Sequence, residues 1–192
     1  MSEHKSLKSD EPKIEELVLR AQGGDTDAFG EVYEIFFTSL YRYVYYRTAH
    51  HDSEDLLEII FLKIWSNLHR YKKSEKSSFI AWAFRIAHNT VVDYYREPVA
   101  TLELEYGVAD ERREARSEDA VSRKLNNEIL SKALHQLKES YQQVLVLKFI
   151  NELENDEISK ILDKSENSLR ILQFRALRAL RKVLEGMGIT EF

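Results

Sequence analysis

Phe29, Val32, Tyr33, Phe36, Leu40, Tyr43 and Val44 recur at three- and four-residue steps through the stretch DAFGEVYEIFFTSLYRYVYYRTAH. That spacing lays them on one face of an α-helix, a face too wide and apolar to leave in water. Such a helix must pack on other helices. The rest of the chain can supply them: two prolines and six glycines are all that interrupt 192 residues, and Leu, Glu, Lys, Arg and Ala are plentiful. This balance favours helix throughout. We expect an all-α protein.

Breaks in the helical period divide the chain. Residues 1–13, MSEHKSLKSDEPK, are polar and read as a disordered tail. IEELVLRAQ then forms a short amphipathic helix that Gly23 and Gly24 close, and Asp25 or Thr26 caps the long aromatic helix. In DSEDLLEIIFLKIWSNL, Asp52 or Ser53 serves as N-cap, acidic residues fill the first turn where the helix dipole favours them, and Leu56, Ile60 and Ile64 face inward. A basic loop, HRYKKSEKS, leads to SFIAWAFRIAHNTVVDYYRE, which Pro98 ends. Residues 14–97 thus form one helical domain. Residues 98–122 lose the period and carry more Asp and Glu than Arg, the mark of a flexible acidic linker. Residues 123–192 resume helix with Leu125, Ile129, Leu130, Ala133, Leu134 and Leu137 in a stripe, and form a second small domain.

Several function classes fall away. Without cysteine there is neither a disulfide framework nor a thiolate metal site. The start lacks the apolar core of a secretory signal, and no window approaches about 18 uncharged apolar residues, so membrane insertion is not expected and a cytoplasmic location is. In HHDSED, His51 and Asp55, or His50 and Glu54, stand one helical turn apart, yet they serve as a cap and acidic first turn, and no third ligand cluster accompanies them. We expect no metal and no cofactor. No glycine-rich phosphate loop or nucleophile motif is present either, so the chain is not read as an enzyme.

The net charge of -5 is unevenly distributed. NDEISKIL, beginning at Asn155 or Asp156 as N-cap, is followed by the break DKS and by a last helix capped by Ser165. This is helix-turn-helix spacing. At about 100° per residue, Arg170, Arg175, Arg178, Arg181 and Lys182 share one sector of the last helix. Leu169, Leu172, Ala176, Leu177, Ala179, Leu180, Val183 and Leu184 occupy the opposite one. From Lys164 to Lys182 there are six basic residues and one acidic, against the sign of the whole chain. A cationic face of this kind suits a phosphate backbone, with the Ser165 to Arg170 end entering the major groove first.

In the N-terminal half, Phe61, Trp65, Tyr71, Phe79, Trp82, Phe84, Tyr94 and Tyr95 alternate with Lys63, His69, Arg70, Lys72, Lys73, Lys76, Arg85 and His88. Rings that stack on unpaired bases and cations that follow the phosphates are what a single strand requires. A duplex reader and a strand-trapping surface in one chain describe a protein that opens DNA at a chosen place.

These stretches resemble the extracytoplasmic-function sigma factors of bacterial RNA polymerase, of the sigma-70 family. DTDAFGEVYEIFFTSLYRYVYYRTAHHDSEDLLEIIFLKIWSNLHRY with SSFIAWAFRIAHNTVVDYYRE is similar to the family's region 2. LKESYQQVLVLKFINELENDEISKILDKSENSLRILQFRALRALRKVL is similar to its region 4. The resemblance implies a sigma factor that recognises the -35 element and melts the -10 element. By it, Asp52, Glu54, Asp55, Leu56, Glu58 and Phe61 bind core polymerase, with Glu58 where the family often has Gln. Lys63, Asn67, Tyr71, Phe84, Ile86 and Asn89 approach the -10 DNA, and Ser165, Glu166, Asn167, Ser168, Arg170, Ile171 and Arg175 read the -35 DNA. The implied partners are RNA polymerase core enzyme, promoter DNA as duplex and single strand, and an anti-sigma factor of the kind common in the family. The rival reading is a stand-alone helix-turn-helix transcriptional regulator whose N-terminal bundle docks proteins; it would bind duplex DNA without polymerase.

Overall fold

A computed structural model describes residues 7–48, 52–74, 78–96 and 118–189. All of its long elements are helices: α1 (Glu11–Gln22), α2 (Thr26–Tyr45), α3 (Ser53–Asn67) and α4 (Phe79–Arg96) in the N-terminal half, then α5 (Glu118–His135), α6 (Glu139–Leu145), α7 (Asn155–Leu162) and α8 (Glu166–Gly186). The expected all-helical, two-part organisation is present.

Boundaries differ where local chemistry outweighs period. Part of the expected disordered tail is structured: Leu7–Asp10 form a 3-10 turn with Leu7 buried, and α1 starts at Glu11. Pro12 sits in the first turn, where a missing N–H leaves no bond unmade. Asp25 caps α2 by accepting from the Ala28 amide at 3.0 Å, while the Arg20 guanidinium bridges to the same carboxylate at 2.7 Å. The α5 backbone begins at Glu118, inside the span read as linker; the remainder of that span, 98–117, lies outside the described residues. Helix α7 begins at Asn155 because Glu154, not Asn155 or Asp156, is its N-cap, and the Glu157 carboxylate accepts from the Glu154 amide at 2.9 Å. Between α6 and α7 the chain passes through one π-helical turn, Val146–Ile150.

The helices of each half close a core: Phe36, Leu40, Ile60, Ile64, Phe79 and Phe84 in the first, Val144, Leu147, Ile158, Ile161, Leu169 and Ala176 in the second. These are not separate cores. They form one continuous cluster, with α7 packed on α4. Polar groups cross the seam: Arg47 donates to Gln142 at 2.9 Å and pairs with Glu139 at 3.3 Å, Gln142 donates to the Tyr46 carbonyl at 2.9 Å, and the His135 ring lies 3.2 Å from the Thr48 carbonyl. The Tyr46 and Thr48 carbonyls, in the turn just past α2, thus meet side chains from the other half of the chain.

Candidate nucleic-acid interface

Helices α3 and α4 run beside one another and leave a cleft of about 280 Å³ lined by Lys63, Asn67, Arg70, Trp82, Ile86, Asn89 and Thr90. The lining follows helical spacing. Lys63, Asn67 and, in the turn after α3, Arg70 come from one wall; Trp82, Ile86, Asn89 and Thr90 come from the other. Lys63 donates to the Thr90 hydroxyl at 3.2 Å, Thr90 donates to the Ile86 carbonyl at 2.9 Å, and Asn67 donates to the Lys63 carbonyl at 2.8 Å. These bonds fix one ammonium, Lys63, and one amide, Asn67, in a lining that also holds the Trp82 ring. The Trp82 ring has its centroid 5.4 Å from that of Tyr71 and 5.3 Å from that of Phe79.

Four of the six residues expected at the -10 DNA, Lys63, Asn67, Ile86 and Asn89, come together here. The other two do not line the cleft. Tyr71 is buried, and its hydroxyl donates to Glu15 at 2.7 Å; burial, reinforced by that carboxylate, raises its pKa and keeps it protonated. Phe84 is fully buried, edge-on to Tyr43 at 5.8 Å. Tyr71 packs against the lining ring Trp82, whereas Phe84 lies in the core beside Tyr43. Arg70, Trp82 and Thr90 are lining residues that the motif match omitted. Helical period could have supplied two of them, since Trp82 lies one turn before Ile86 and Thr90 one turn after it.

On α3 the expected docking residues divide in the same way. Glu54, Asp55 and Glu58 are exposed, whereas Leu56 and Phe61, at 5% and 6% exposed, belong to the core. The apolar residues that share the outer face with the acids are Ile59 and Leu62, 42% and 65% exposed. Asp52 makes no capping bond; its carboxylate accepts from the Tyr94 hydroxyl, and burial together with that carboxylate pushes Tyr94 up to about 12.

The helix-turn-helix consists of α7, a turn and α8. Asp163 takes the left-handed conformation that ends α7, φ 52° and ψ 50°, a geometry Asp tolerates better than most side chains. Ser165 caps α8 by accepting from the Ser168 amide at 3.3 Å. Ile158, Ile161, Leu169 and Ala176 are buried between the helices, and Gln173 donates to Asn155 at 2.8 Å to tie them. Ser165, Glu166, Asn167, Ser168, Arg170, Ile171 and Arg175 are all exposed together on the first half of α8. Ion pairs within the helix, Arg170 to Glu166 at 3.8 Å and Arg181 to Glu185 at 2.8 Å, are solvent-exposed and exchange readily for phosphate. One assignment changes: Leu177, placed on the inner face by period, is 43% exposed and joins Ile171 and Phe174 amid the cations. Arg178 lies over the Phe174 ring at 5.8 Å.

No described helix is long and apolar enough to cross a membrane. Comparison with known proteins agrees with this architecture. The Sigma-70 region 2 family matches residues 32–98, and Sigma-70 region 4 matches residues 127–180. The chain is 34% identical over 179 residues to the ECF RNA polymerase sigma factor BldN of Streptomyces coelicolor, covering 92% of this chain and 67% of that protein. It is 30% identical over 189 residues to SigW of Bacillus subtilis, covering 92% of this chain and all of SigW. The solved structure of CnrH in complex with the cytosolic domain of CnrY shares the fold, with a TM-score of 0.69 at 22% identity over 88% of this chain and 96% of CnrH. The chain therefore belongs to the sigma-70 family as an extracytoplasmic-function sigma factor, a non-enzymatic protein that directs RNA polymerase to promoters and initiates transcription.

Proposed function

We propose a division of labour in which the α3–α4 cleft captures the unpaired -10 strand, the first half of α8 reads the -35 duplex, and the outer face of α3 docks on core polymerase. The observation that carries this reading is the cleft itself: Lys63 and Arg70 beside Asn67, Asn89 and the Trp82 ring. Cations there meet phosphate, amides meet base edges, and the ring stacks on a base at about 1–3 kcal/mol, which offsets the few kcal/mol that unpairing costs.

On α8, Arg170 and Arg175 contact phosphates while Asn167, Ser168 and Ile171 face base edges, the two amide and hydroxyl groups by hydrogen bonds and the isoleucine by apolar contact with a thymine methyl. On α3, Asp55 and Glu58 steer a basic partner surface, and Ile59 and Leu62 supply the apolar contact between them. Region 2 is assigned to residues 14–97 and region 4 to 123–192. Family membership extends the proposal to a cytoplasmic site of action and to an anti-sigma factor as a partner.

Run-off transcription with bacterial core polymerase on a promoter library tests the whole. Defined RNA starts are expected, with Lys63→Ala and Asn89→Ala losing activity on duplex promoters and losing less on pre-melted ones. Equal loss on both templates would count against strand capture by the cleft.

A further inference from the structure

Two side chains of α1, a helix that precedes the matched region 2 segment, reach the turn beside the cleft. Gln22 donates its amide to two carbonyls at once, Leu68 at 2.8 Å and Tyr71 at 2.8 Å. Arg70 lies between those carbonyls, so its backbone is held on both sides. Glu15, buried, accepts from the Tyr71 hydroxyl at 2.7 Å and from the Phe79 amide at 3.3 Å. That amide opens α4, where the helix leaves its first N–H groups without partners and favours a carboxylate. Tyr71 and Phe79 are the rings against which Trp82 packs. Of the three lining residues that the motif match omitted, two are therefore secured through α1: Arg70 by Gln22, Trp82 by Glu15.

A carboxyl group is a costly choice for this position. Its Oε2 is buried with no hydrogen-bond partner among the described residues, and desolvating a polar group without full compensation opposes folding. An apolar side chain would fill the space without that cost, but it could not join a tyrosine hydroxyl to a helix N-terminus. Through Glu15 the Tyr71 side chain, just past α3, is tied to the first residue of α4.

We infer that Glu15 and Gln22 are positioning residues for -10 recognition, acting through Tyr71, Phe79 and the Leu68–Tyr71 turn to fix where Arg70 and Trp82 meet the strand. This rests on the cleft being the strand site. Neither side chain touches DNA; each determines how selectively the cleft holds a base.

The test uses full-length protein assembled with core polymerase and a fork-junction DNA library carrying a randomised single-stranded segment, with bound pools sequenced. Wild type enriches a preferred base at the captured position. Gln22→Ala and Glu15→Ala are expected to weaken fork binding about tenfold, the equivalent of one or two lost hydrogen bonds, and to flatten that preference. Binding to a duplex carrying only the -35 element should stay unchanged, and Glu15→Gln, which keeps the accepting oxygen, should restore the preference. Gln22, on the surface, can be changed without opening the core. If Gln22→Ala keeps the full base preference while Lys63→Ala loses it, the positioning role is overturned and the cleft assignment survives. If Lys63→Ala also keeps it, the cleft is not the strand site and both proposals fall.

Discussion

The Arg47 guanidinium donates to the Gln142 side-chain oxygen at 2.9 Å across the seam between the two halves, and Gln142 returns a bond to the Tyr46 carbonyl at 2.9 Å. Arg47 is only 1% exposed. Its two terminal nitrogens are met by Gln142 and Glu139 of the other half, while its Nε is buried with no hydrogen-bond partner among the described residues, so parting the halves would strand the whole buried charge. The seam is consequently a specific joint rather than a chance contact of two sticky surfaces. Its groups should be energetically coupled.

A double-mutant cycle on Arg47→Ala and Gln142→Ala measures that coupling. An interaction energy of about 0.5–3 kcal/mol is expected from urea unfolding, along with a single transition for the whole chain in wild type. Strict additivity, with each half melting separately, would falsify the joint.

His88 supplies a pH dependence. Burial first, then the nearby Arg47 charge, pushes it down from 6.5 to about 4, and its Nδ1 lies 3.3 Å from the Tyr43 hydroxyl. The native state therefore holds it neutral. With the folded value below the unfolded one, its contribution is complete above pH 6.5 and is lost as the pH falls towards 4. That contribution reaches about 3 kcal/mol at most. Thermal unfolding of His88→Phe should lose less stability than wild type between pH 7 and pH 4.5; parallel curves for the two proteins would remove the assignment.

Replacing Arg170 and Arg175 by Ala should lower the slope of log affinity against log salt by about 2, close to 0.9 for each phosphate contact. Promoter binding by the holoenzyme, titrated between 50 and 200 mM salt on the order used for such slopes, reads this directly. An unchanged slope would show that these arginines touch no phosphate.

Leu62→Asp and Asp55→Arg should abolish co-purification with core polymerase while leaving the melting temperature within about 2–4 °C of wild type, since both positions are exposed. Leu56→Asp is expected to fail differently, by unfolding the N-terminal half, because its side chain is in the core. Retained assembly by Leu62→Asp would move the docking face elsewhere.

Period and capping chemistry were sufficient to read eight helices, the helix-turn-helix and its exposed reading face. The information is local: a helix is specified by residues three and four apart, and its ends by residues adjacent to it. On α8 cations mark one side clearly, so the exposed set could be named, with Leu177 misplaced only because it sits at the edge of the apolar sector. On α3 the same reasoning placed Leu56, Ile60 and Ile64 inward, and all three are buried, but it left the other apolar residues unassigned. Leu56, Leu57, Ile59, Ile60, Phe61, Leu62, Ile64 and Trp65 are apolar almost all the way round, and period alone cannot say which of the rest meet the core. Only packing against α2 and α4 assigned Leu57 and Phe61 inward and Ile59 and Leu62 outward.

The amino-acid order by itself determined an all-helical chain in two parts, one bearing a duplex-reading helix and the other rings among cations, because those properties follow from spacing and side-chain chemistry along a few turns. Tertiary structure decided that Tyr71 and Phe84 are buried while Arg70 and Trp82 line the cleft. It also decided that Glu15 and Gln22 hold that turn from 46 to 64 residues away, and that Arg47 joins the halves. Burial and long-range hydrogen bonding depend on which surfaces meet in space, and no local pattern encodes that meeting.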